Sequence, residues 1–124
     1  FAYQNLATGE AEIETLCKML KGYWKGIKQV FPKAWGYPPR QSRLMHGVGI
    51  KALGRLMDHV LRSIPAGSEI PTAVASEVKK VESACAWTEG RWEGLGNIPW
   101  NALQNTPRHV RLLSDHLIAT YRGH

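Results

Sequence analysis

Residues 42–64 read SRLMHGVGIKALGRLMDHVLRSI, and the fold class turns on how their apolar positions are spaced. Ile50, Leu53, Met57, Val60, Leu61 and Ile64 recur at intervals of three, four and seven, the 3.6-residue period of one helix face. That face is expected to be core. Lys51, Arg55, Asp58 and Arg62 share the opposite side, so the outward stripe is mostly cationic. Gly47 and Gly54 lie two turns apart. Each costs a helix about 1 kcal/mol relative to alanine, so the pair points to the close approach of another backbone or a ligand.

Outward from this helix the same period recurs. Upstream, Thr8 reads as an N-cap, and Ile13, Leu16, Leu20, Tyr23, Trp24, Ile27, Val30 and Phe31 hold a stripe over the longest helix. Lys18, Lys21, Lys25 and Lys28 line another side of it. A solvated face is the ordinary reading of such a run, a phosphate-tracking surface the sharper one. Pro32 ends this helix. The loop PKAWGYPPRQ (32–41) carries Trp35 and Tyr37 as hydrophobic lids, and Arg40 and Arg43 flank Ser42 before the central helix. Downstream, 65–68 is a turn, and Pro71-Thr72 opens a third helix with Val74, Val78, Val81 and Cys85 inward. Residues 87–100 read as an ordered loop pinned by Trp87, Trp92 and Trp100, and 99–104 as a short fifth helix. Thr106-Pro107 then supplies a cap and first-turn proline for a last helix burying Val110, Leu113, Leu117, Ile118 and Tyr121. No stretch alternates with period two for long. The expected class is all-α, a compact irregular bundle of four main helices plus the short fifth.

The 124 residues suit one helical domain, 1–124, with 1–7 as an incoming linker, 123–124 resembling tag sequence, and the whole read as a piece of a longer chain. A net charge of +6 favours nucleic acid, an anionic surface or an acidic partner. Cys17 and Cys85 stand alone and read as small, buried, reduced thiols; neither a disulfide framework nor a metal site is indicated, and no cofactor is expected. Without an apolar run long enough for a bilayer or a signal pattern, no membrane partner is expected and the location is read as cytoplasmic. Gly49 and Gly54 have phosphate-loop spacing, but Arg55-Leu56 follows where Lys and Ser or Thr are required. His46 is a lone histidine, read as a capping or core residue. No nucleophile, base and orienter occur together, so no catalytic residue is assigned.

Three pieces carry a resemblance: Phe31-Pro-Lys-Ala-Trp-Gly36 after a helix, the 44–56 stretch with its glycines, and Arg91-Trp92 followed by Trp100-Asn-Ala-Leu-Gln-Asn105. Together they resemble the carboxy-terminal part of the DGQHR-domain proteins of bacteria and archaea, over about residues 18–121. That family includes DndB-like regulators, which bind DNA and accompany DNA phosphorothioation in bacterial defence. The Asp-Gly-Gln-His-Arg signature is absent here; in relatives it lies upstream, in a ParB-like region. The resemblance implies a DNA-binding module of a transcription-regulating, modification-associated protein; the candidate phosphate contacts, Arg40, Arg43, Lys51, Arg55 and Arg62, come from the basic stripe of the central helix and its entrance. Its partners would be DNA, an upstream domain of the same chain, contacted through His46 and Asp58, and a second copy in a homo-oligomer. The alternative is the helical cap or oligomerisation part of a ParB-like nuclease or nucleotide hydrolase, to which His46 and Arg43 would be the contributors from this side.

Overall fold

A computed structural model describes the backbone of residues 9–123 and the side chains of 13–123. The Thr8 cap, the 1–7 linker and His124 lie outside the described residues. Four α-helices follow one another, α1 (Gly9–Val30), α2 (Gly47–Arg62), α3 (Ile70–Glu82) and α4 (Pro107–Arg122), with two short strands, β1 (Arg91–Trp92) and β2 (Ile98–Pro99), before the last. The chain is thus mostly helical. The short fifth helix expected over 99–104 is instead β2 followed by a three-residue 3-10 turn, Trp100–Ala102.

The helices do not pair with their neighbours in sequence: α1 lies chiefly against α3, and α2 against α4. Two glycines missed in sequence set the first pair. A Cβ on Gly22 would lie 2.4 Å from Ile70 Cγ2, and one on Gly26 would lie 2.5 Å from Val74 Cγ1, so the α1 backbone seats directly on α3 side chains. Tyr23 joins the two pairs. It is fully buried, and its hydroxyl donates to the Leu53 carbonyl at 2.5 Å, while burial raises its pKa and keeps it protonated.

The core face of α2 is turned from the expected one. Val48, Ala52, Leu53, Leu56 and Val60 are fully buried, whereas Ile50 is 43% exposed and Met57 and Ile64 only half-buried. Gly49 decides this phase: a Cβ there would sit 1.9 Å from the Arg43 carbonyl oxygen, so that side of the helix must press on the preceding loop. Gly47 also faces a close neighbour, the Asn105 amide, but Gly54 meets nothing within 4 Å. The last helix is capped by the Thr106 hydroxyl, which accepts from His109 N–H at 3.2 Å.

The 87–100 segment, expected as a loop, is a small antiparallel hairpin in which Arg91 pairs with Pro99 and Trp92 with Ile98. Its turn needs left-handed backbone at Gly96 (φ 88°) and Asn97 (φ 60°). Phe31, Trp87, Trp92 and His116 then follow edge to face, with centroids 5.9, 5.0 and 6.2 Å apart. Cys85 is held beside them, its thiol donating to the Val81 carbonyl and kept protonated by burial. Cys17, expected to be buried, is exposed, because the amino half of α1 runs past the core. Both thiols are free. Among the described residues no helix is long and apolar enough to cross a membrane.

Candidate nucleic-acid interface

The expected cationic stripe divides into three environments. Lys51 and Arg55 project into solvent from α2, and Arg40 from the loop before it. Arg62 is exposed too, with the Asp58 carboxylate one turn below it at 2.7 Å as a solvent-exposed pair.

Arg43 does not belong to the surface. It is only 8% exposed, and its guanidinium donates from Nε to the Leu103 carbonyl at 2.9 Å, from Nη1 to Pro39 at 2.9 Å and from Nη2 to Asn101 at 2.7 Å. Its carbon lies 5.7 Å from the Trp100 ring centroid. Its own N–H donates to the Trp87 carbonyl at 2.8 Å. A planar fork of five donors suits such a set of carbonyls, which a lysine could not satisfy together. Desolvation lowers its pKa, yet a guanidinium stays charged. Arg43 therefore clamps the hairpin and the 100–103 turn onto the 38–43 loop.

His46 is also turned to a structural task. It is the N-cap of α2, its Nδ1 accepting the Val48 N–H at 3.2 Å. That role requires an unprotonated Nδ1. Burial first, and the Arg43 charge second, lower its pKa below the usual 6.5. In the window between the lowered folded value and 6.5 the unfolded chain binds the proton first, so stability rises with pH there and falls on acidification. Thermal unfolding between pH 7.5 and 5 should show a falling midpoint, and His46→Asn, a cap that does not titrate, should flatten part of that slope. An identical slope in both proteins would assign the pH dependence elsewhere.

A second basic surface lies on α1. Lys18, Lys21, Lys25 and Lys28 are all exposed on α1, spaced three, four and three, and none makes an ion pair among the described residues. The row is about 15 Å long at a rise of 1.5 Å per residue. Lys18, Lys21 and Lys25 also line a groove of about 610 Å³ between α1 and the start of α3, which Ile13, Cys17 and Ile70 share. Among the described residues no group of three or more His, Cys, Asp or Glu side chains is placed to hold a metal ion. No family model, curated protein or solved structure matches the chain.

Proposed function

We propose that the chain is a DNA-associated helical module that holds duplex phosphates without reading bases, as part of a modification- or defence-associated regulatory protein of the DGQHR-domain, DndB-like kind. The observation that carries the reading is the α1 lysine row, four exposed cations in register and unpaired among the described residues. At about 15 Å the row is long enough to meet more than one phosphate of a strand. Arg40, Lys51 and Arg55 supply further exposed positive charge, and the net charge of +6 acts in the same direction at longer range. Arg43 and His46 contribute through the fold rather than by contact.

Fluorescence anisotropy with a labelled duplex tests this. Binding should be detectable at low salt, nearly independent of sequence, and should fall steeply as salt rises, because condensed counterions are released. Lys25→Glu and Arg55→Glu, both solvent-facing, should each weaken binding to every duplex alike and flatten the log–log salt slope by about one. No binding at low ionic strength, or losses confined to particular sequences, would overturn the reading.

A further inference from the structure

The amino half of α1 carries an apolar seam that the described residues leave open. Ile13, Cys17, Leu20, Trp24, Ile27 and Phe31 repeat at alternating four and three residues, the heptad spacing of a helix meant to meet another helix. Along it burial decreases toward the amino end: Ile27 and Phe31 are in the core, Trp24 and Leu20 half-buried, Cys17 exposed and Ile13 61% exposed. An aliphatic side chain that far out of the core on a seam of this spacing has no covering partner among the described residues. Beside Trp24 lies a second, open apolar hollow of about 160 Å³, lined by Trp35, Leu44, Met45 and Ile50. Ile50 is the other branched aliphatic exposed there, at 43%.

We propose that two copies of this chain pair antiparallel along α1, each Ile13 seating in the other's pocket beside Trp24. Symmetry fixes the rest. With Ile13 set against the partner's Trp24, Cys17 falls against the partner's Leu20, and the positions that flank this seam on one side are Glu14 and Lys21. In an antiparallel helix pair those flanking positions face their own kind across the axis, so each Glu14 meets the partner's Lys21, twice over. Both side chains are exposed, and neither makes an ion pair among the described residues. A parallel pair would not bring them together. The contact is isologous and therefore closes at two copies. With few side chains in the seam, the contact is expected to be weak and concentration-dependent. Lys21 also belongs to the α1 lysine row, so pairing and DNA binding would draw on that side chain in common, and the test is made without DNA.

Sedimentation equilibrium of the full chain without DNA, across a wide concentration range under reducing conditions, tests it. The weight-average mass should climb from the monomer toward twice that value. Ile13→Asp, which alters no buried residue, should keep the protein monomeric at every concentration. Glu14→Lys and Lys21→Glu should each raise the dimer dissociation constant about three- to tenfold, and the double swap should restore it. Monomer throughout in the unaltered chain, including the case where removing residues 1–8 releases association, would overturn the proposal. So would self-association that survives Ile13→Asp, or a double swap that restores nothing.

Discussion

Gly49→Ala should cost about 3 kcal/mol or more, far beyond the usual penalty-free exchange of a helical glycine. The added methyl would lie 1.9 Å from the Arg43 carbonyl oxygen and 2.9–3.0 Å from two further backbone atoms, none of which can rotate away as a side chain can. Either α2 withdraws from the loop or the loop deforms, and both disturb the bonds Arg43 makes from that loop. In urea titrations the midpoint should move to markedly lower denaturant. Gly54 in the same helix is the control: its Cβ would meet nothing within 4 Å, and Gly54→Ala should stabilise by about 0.5–1 kcal/mol. Equal effects at the two glycines would mean that the loop does not press on α2 as described.

Arg43→Met should destabilise by about 3 kcal/mol, a cost set by the carbonyls left behind more than by the lost charge. The Leu103 carbonyl is buried and loses its donor outright, while those of Pro39 and Asn101 are partly buried and can recover some hydration. Arg43→Lys should recover less than half of the loss, since one ammonium cannot span three carbonyls arranged for a planar fork. DNA affinity per folded molecule should stay unchanged in Arg43→Lys. A large, sequence-independent loss of affinity in a well-folded Arg43→Lys protein would return Arg43 to the interface.

The helices were legible in the sequence because caps and period agreed: Thr106-Pro107 opens α4, and the stripe Val110, Leu113, Leu117, Tyr121 is buried as its spacing requires. The phase of α2 was not. Its apolar residues cover more than half the circumference, so the period admits two neighbouring faces, and the choice of Leu56 over Ile50 rests on how Gly49 meets the Arg43 carbonyl. Gly22 and Gly26 could have been found by the same argument applied to Gly47 and Gly54, since two glycines one turn apart in a long helix mark close approach. The hairpin was hidden because two-residue strands cannot display an alternating pattern; the Gly96-Asn97 pair was its one local sign. Arg43 was hidden for a different reason. Its partners are main-chain oxygens 58 and 60 residues onward, which side-chain chemistry does not encode. Charge placed it outside, and the geometry of distant carbonyls placed it within.

The pairing of α1 with α3 and of α2 with α4 bears on how quickly the chain can reach this arrangement. In a bundle of consecutive helix hairpins, each turn brings its reward as soon as it closes, and folding is fast. Here neither main helix pair joins neighbours in sequence, so an intervening helix must be carried across before either pair can lock. The Tyr23 bond to Leu53, over 30 residues, and the Arg43 bond to Leu103, over 60, are likewise late returns on a large loop-closure entropy. For its helical content the protein is therefore expected to fold slowly, which stopped-flow refolding from urea would check.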